Sequence, residues 1–275
     1  MNNRWFLIIT ATLSISTTLA DQIIDLNDAI PSDGTDTTYI SGFSFYNKEV
    51  SYEKKNGLAV LEGDIILGTY YQANRWKQIH DTDQSSAKTP LSVIRTGQRY
   101  RWTNNLIPYE FAPNVSQATQ TMVLNAMDHW TNNTTITFVK RNASNAPIFP
   151  DYIRIQSDDL ACWSYVGRQG GRQDLNVIQD CGFGSTVHEI GHAIGLWHEQ
   201  SREDRDQFVQ IIWQNIKAGK ENNFNQQIQD GDDIGAYDYG SIMHYGPFAF
   251  SDNGLLLETL CCLMEAILSI PIVAR

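Results

Sequence analysis

The chain has 275 residues, 42% of them hydrophobic and 19% charged, with a formal net charge of -11. That length and balance suit one large globular domain, or a domain preceded by a prosegment. The acidic excess argues against nucleic acid or an anionic membrane as partner.

At the N-terminus Arg4 precedes an apolar stretch, Trp5 to Leu19, which closes on Thr18-Leu19-Ala20 before Asp21. A charged start, an apolar middle and a small-residue end predict a secretory signal over residues 1–20, and so a secreted, extracellular protein. Secretion makes the cysteines readable as disulfide partners; Cys162 and Cys181 bracket a polar, Gly-rich segment and could close a loop of about twenty residues. Sequons at Asn114, Asn132, Asn133 and Asn142 suit such a surface. Residues 21 to 92 read as a separate, poorly packed unit, rich in Asp, Thr, Ser, Lys and Gln. Its one apolar island is Leu58-Ala59-Val60-Leu61 with Ile65-Ile66-Leu67. Leu106–Phe111 predicts a strand, placed at a sheet edge because it contains Pro108. Ser116 predicts the cap of a helix on which Ala118, Met122, Ala126 and Trp130 recur every four residues. His129 on that helix lacks a partner at ligand spacing. Ile136–Val139 and Tyr152–Ile155 predict short strands, Val187–Leu196 a helix, Glu203–Asp206 a charged turn, and Phe208–Phe224 a partly helical segment. The expected fold class is α+β, with a small sheet and two main helices in an upper lobe.

The chemistry is concentrated in His188-Glu189-Ile190-Gly191-His192-Ala193-Ile194-Gly195-Leu196-Trp197-His198. Residues four apart share one helix face, so His188 and His192 can point at one ion. Glu189 sits one step round, placed to reach water at the metal rather than the metal itself. Gly195, lacking Cβ, can turn the chain out of the helix and return His198 to the same ion. Three neutral imidazoles leave one position open for water, the arrangement of catalytic rather than structural zinc, with one ion per chain. The pattern H-E-x-x-H-x-x-G-x-x-H is the metzincin form of the zinc-protease motif. Downstream, Ser241-Ile242-Met243-His244-Tyr245-Gly246 offers Met243 for a turn beneath the histidines. Its Tyr245 phenol could serve as a further ligand or as a donor to a developing oxyanion.

Four stretches together resemble the astacin family of secreted zinc endopeptidases: HEIGHAIGLWHEQSREDRD from His188, CWSYVGRQGGRQDLNVIQDC from Cys162, YDYGSIMHY ending at Tyr245, and RWTNNLIPY ending at Tyr109. The resemblance implies a two-lobed, zincin-like catalytic domain with a small twisted sheet and an active-site helix, preceded by an extended prosegment. It implies zinc on His188, His192 and His198, Glu189 as general base and then acid, and Tyr245 as a fifth ligand that swings away to stabilise the transition state. It also implies a Cys162–Cys181 bridge. Glu199 would anchor the new α-amino group of a mature chain starting near Leu91 to Thr96. Leu61-Glu62-Gly63-Asp64 is similar to the family's F-E-G-D prosegment motif, which would make Asp64 an inhibitory zinc ligand. The partners implied are a peptide or protein substrate and an activating protease.

Two departures from the family stand out. Thr137 occupies a position that usually supplies a cysteine, and from residue 255 the chain runs into LLLETLCCLMEAILSIPIVAR. Two acids and Pro271 interrupt that apolar run, which argues against a membrane anchor. The organisation expected is a signal peptide over 1–20, a propeptide over 21–92, a catalytic domain with an incomplete lower lobe over 93–254, and an atypical tail over 255–275. An alternative follows from the tail: a non-catalytic product that binds zinc without turnover.

Overall fold

A computed structural model describes residues 32–40, 48–74, 95, 97–158, 161–226, 231, 233–252 and 257–263. The expected signal segment, most of the expected activation region and residues 264–275 lie outside the described residues.

The N-terminal part forms an antiparallel sheet in chain order from β1 (Thr35–Ile40), β2 (Lys48–Lys55), β3 (Leu58–Leu61) and β4 (Ile65–Thr69). Asn56 and Gly57 join β2 to β3 with φ of 49° and 81°, the left-handed pair that a tight hairpin requires. The expectation of a poorly packed unit is corrected here, since Tyr52, Ala59, Leu61 and Ile65 are all at most 1% exposed. The apolar island is too small to form a core alone. Instead Leu61 and Ile65 pack with Val50 against Val166 and Trp197 of the domain that follows. Main-chain bonds reinforce the contact: Ile66 N–H donates to the Ser164 carbonyl at 2.9 Å, and Ser164 N–H to the Asp64 carbonyl at 3.1 Å. Below it, Lys220 Nζ meets the buried Glu53 carboxylate at 2.8 Å.

The upper lobe is a parallel sheet of β5 (Leu106–Phe111), β6 (Thr137–Lys140), β7 (Tyr152–Gln156) and β8 (Arg172–Asn176), in the order β6-β5-β7-β8. The expected edge strand is therefore internal. Pro108 is tolerated because pairing with β7 begins only at Tyr109, so the strand is still unpaired on that side at the proline. Helices α1 (Gln117–Asn133) and α2 (Gly182–Ile194) cover the sheet through Val123, Ala126, Val187 and Ile190, packed with Ile107, Ile153, Ile155 and Leu175. Ser116 caps α1, its Oγ accepting from Thr119 N–H at 3.1 Å.

The lower region is helical only in short 3-10 turns, and it also carries a strand that was not expected. It has a strand β9 (Val209–Ile211) and short 3-10 turns at Trp213–Asn215 and Glu221–Phe224. Val209 and Ile211 are buried on either side of an exposed Gln210, a period of two that β-branched residues favour. β9 pairs antiparallel with β10 (Leu260–Cys262). Part of the expected tail is thus built into the fold, with Leu260 buried among Val209, Phe224, Tyr245 and Phe250. Cys261 and Cys262 carry free thiols. Among the described residues, no helix is long and apolar enough to cross a membrane.

Candidate metal centre and active site

Helix α2 is fixed before it presents any ligand. Cys181, which precedes it, is joined to Cys162 with a Cα–Cα distance of 6.3 Å. Two indoles donate to its carbonyls, Trp130 Nε1 to Val187 at 3.0 Å and Trp102 Nε1 to Ala193 at 2.8 Å. His188 and His192 lie one turn apart on its inner face, 1% and 0% exposed. The helix ends at Gly195, whose φ of 128° disfavours any side chain. Its N–H bonds back to the Gly191 and His192 carbonyls, and the chain leaves in the direction that returns His198.

Ligand atoms of His188, His192, His198 and Asp64 all lie within 4.8 Å of one another, and all four residues are buried. Asp64 stands 3.5 Å from His188 Nε2, 3.6 Å from His192 Nε2 and 3.4 Å from His198 Nε2. On the far side of each ring Nδ1 faces an acceptor: the Ile242 carbonyl at 2.8 Å, the Leu196 carbonyl at 2.8 Å and Glu62 Oε2 at 2.9 Å. Those bonds assign a proton to each Nδ1 and turn the Nε2 lone pairs inward. His192 Nε2 is buried and makes no hydrogen bond, as expected of an atom built to meet an ion. Three imidazole nitrogens and one carboxylate oxygen make a donor set that fits zinc.

The electrostatics agree with that fit. Burial pushes His192 down to about 4, keeping the neutral form a ligand needs. Burial would also lower His198, but the Asp64 and Glu62 carboxylates outweigh it and raise the group to about 9. Burial alone would raise Asp64, yet the charge on His198 and the three imidazoles facing it hold its carboxyl well below the usual range. The two histidines thus differ: His192 is held neutral by burial, while the Asp64 and Glu62 carboxylates favour positive charge at His198. Glu189 is 1% exposed beside this cluster, with Oε2 making no hydrogen bond. Burial, and then the Asp64 charge, push it well above the usual carboxylate range.

The remaining expected residues surround the centre. The Tyr245 phenol donates to the Glu62 carbonyl at 2.6 Å, with its ring 4.6 Å from that of His198. Gln200 Oε1 holds the Tyr245 N–H at 3.0 Å. The Met243 carbonyl accepts from Glu199 N–H at 2.8 Å, tying the turn to the segment after His198. Glu199 itself accepts from Asp238 N–H at 3.0 Å and pairs with Arg202 at 3.4 Å. Arg95, the described residue nearest the expected cleavage point, donates its N–H to the Gly195 carbonyl at 2.8 Å. His129 is exposed on α1, edge-on to Trp130 and Phe183. Sequence reasoning missed Glu62 and Ser201, which bond to each other, and Gly191, whose place mid-helix was the available signal.

Comparisons with known proteins align with this geometry. The family model described as Astacin, a peptidase family, matches residues 94–268. Blastula protease 10 of Paracentrotus lividus is 38% identical over 209 residues, which are 70% of this chain and 32% of that protein. Zinc metalloproteinase nas-4 of Caenorhabditis elegans is 40% identical over 198 residues, 70% of this chain and 58% of that protein. The chain therefore spans less than two thirds of the length of either relative. Among solved structures, High choriolytic enzyme 1, a hatching enzyme zinc-protease from Oryzias latipes, aligns with a TM-score of 0.52 and 33% identity. That alignment covers 60% of this chain and 80% of the other.

Proposed function

Because the chain belongs to the astacin family of peptidases, we propose that it is a secreted zinc endopeptidase made as a zymogen, with residues up to about 92 as its inhibitory prosegment. The observation that carries this reading is the meeting of the Asp64 carboxylate with the three histidines at 3.4 to 3.6 Å. His188, His192 and His198 would hold zinc, which would supply a Lewis acid for activating water and polarising a scissile carbonyl. Glu189 then takes a proton from the attacking water and returns it to the leaving amine; its burial beside the cluster suits it to hold that proton between the two events. Tyr245, released from the Glu62 carbonyl, offers its phenol O–H to the oxyanion.

Latency follows from the same residues. Asp64 fills the position that water would take, and Glu62 engages the phenol that would serve the transition state. Cutting near Leu91 to Thr96 by an activating protease removes both at once. Glu199, half-buried just after the third histidine, would then take the new α-amino group. Substrates are peptides or proteins.

The test is hydrolysis of a quenched peptide mixture by the secreted chain, before and after limited trypsin treatment, beside Glu189→Ala. Activity is expected only after cleavage, only with Glu189, and only without a zinc chelator. Equal activity in the Glu189→Ala chain would overturn the assignment of the base, and full activity before cleavage would overturn latency.

A further inference from the structure

Glu62 precedes the inhibitory aspartate by two residues, and excluding water asks nothing of its carboxylate. Even so, it is fully buried, at a φ of 52° that residues with a side chain rarely adopt. Its Oε2 accepts from His198 Nδ1 at 2.9 Å and from Ser201 Oγ at 2.9 Å. The His198 ring is therefore bracketed, with Glu62 on its Nδ1 side and Asp64 at 3.4 Å on its Nε2 side. The other two imidazoles are oriented differently. His188 and His192 are backed by the carbonyls of Ile242 and Leu196, which belong to the catalytic domain and stay with it. Only the third is backed by a carboxylate, and that carboxylate arrives on the N-terminal hairpin.

We infer that Glu62 is a positioning residue for the metal centre of the uncut chain. Through Nδ1 it orients the His198 imidazole and strengthens it as a ligand, and Ser201 pins the carboxylate in place. A carboxylate behind a ligating histidine raises its basicity and fixes its ring, and such partners typically govern metal affinity by 10- to 100-fold. The latent chain thus holds its metal more tightly than the three imidazoles and Asp64 would alone, and this support leaves with the hairpin on activation. The inference rests on the zymogen reading above.

The experiment uses the uncut full chain loaded with zinc or cobalt(II). It compares metal release to a chelator, and the visible spectrum of the cobalt form, in the wild type, Glu62→Gln, Ser201→Ala and Asp64→Asn. Glu62→Gln keeps an oxygen for Nδ1 but loses the charge. It is expected to release metal roughly 10- to 100-fold faster with a shifted cobalt spectrum, and Ser201→Ala to release it faster by a smaller factor. A carboxylate that merely docked the hairpin would lower the unfolding temperature of metal-free and loaded chains alike and leave release unchanged. Release at the wild-type rate from a folded Glu62→Gln chain overturns the inference. Should that chain fail to fold, Ser201→Ala decides in its place, with an unchanged rate overturning the inference and a faster one supporting it. Asp64→Asn reports separately on the zymogen reading: peptide hydrolysis by the uncut variant supports it, and silence in that metal-loaded variant counts against it without touching the Glu62 result.

Discussion

A Cβ built on Gly191 would stand 2.6 Å from Met243 Sδ and 3.2 Å from the Trp130 ring, so the methionine turn lies directly against the middle of the zinc helix. Gly191→Ala should therefore destabilise the chain. Overpacking of about 1–3 kcal/mol exceeds the gain of roughly 1 kcal/mol that alanine brings to a helix interior. Thermal unfolding of the single variants and of Gly191→Ala with Met243→Ala tests the cause. The double variant should be less damaged than the sum of the singles, and strict additivity would show that the two residues do not compete for one space.

Glu189 carries a second consequence of its burial. Its folded carboxyl lies well above the ordinary value of 4.5, first through desolvation and then through the charge on Asp64. Above pH 4.5 the unfolded chain has therefore released a proton that the folded chain still prefers to hold, and this group erodes stability as pH rises through that window. Glu189→Gln removes the erosion, so the uncut variant should be more stable than the wild type at neutral pH. Under the proposed mechanism, the same substitution should cost the trypsin-treated chain roughly 10²- to 10⁴-fold in turnover. Urea unfolding across pH, paired with peptide kinetics, checks both. A variant of equal stability at all pH values would mean that Glu189 is not buried as a charge.

Much of this site was legible because its residues are local. The three histidines and Glu189 fall within eleven consecutive positions, where helical geometry and one glycine dictate their meeting. Asp64 was legible only through resemblance, since nothing in a short Glu-Gly-Asp turn states that it will cross to a helix more than a hundred residues away. The pairing of Glu62 with His198 and Ser201 was hidden for the same reason. The internal position of β5 was misread because the proline rule speaks of a missing N–H, and sequence does not reveal on which side or at which residue pairing begins. The strand Val209–Ile211 was missed because apolar residues at mixed spacing satisfy both periods, and the deciding partner, Leu260–Cys262, lies about fifty residues on.

His244 should give the chain a distinct acid sensitivity. It is 8% exposed, with Nε2 2.7 Å from the Tyr237 hydroxyl and Nδ1 2.6 Å from the Tyr245 carbonyl, so it bridges the two as a neutral ring. Burial holds it below its ordinary value of 6.5. Below pH 6.5 the unfolded chain takes a proton that the folded chain resists, so this contribution is complete above 6.5 and is lost as pH falls through the window beneath it. Stability of the wild type should fall more steeply from pH 6.5 downward than that of His244→Asn. Comparing the two cancels the contributions of the other histidines, since both chains carry them. Parallel curves would mean that His244 accepts a proton as readily folded as unfolded.

The Cys162–Cys181 bridge links two functions. Cys181 sits at the entry to α2, while Cys162 is followed by Trp163 and Ser164, whose N–H holds the Asp64 carbonyl. The cysteines lie 19 positions apart, a loop worth about 3 kcal/mol in the chain-entropy account. Replacing both with serine should lower stability by about that amount. It should also loosen the 161–166 segment against which the hairpin docks, so that activation by trypsin proceeds faster than in the wild type. Unfolding in urea reads the first effect and the time course of prosegment cleavage reads the second. Lower stability with an unchanged cleavage rate would mean that the hairpin is held by the packing of Leu61 and Ile65 on Trp197, not by the disulfide-bound segment that carries Ser164 and Val166.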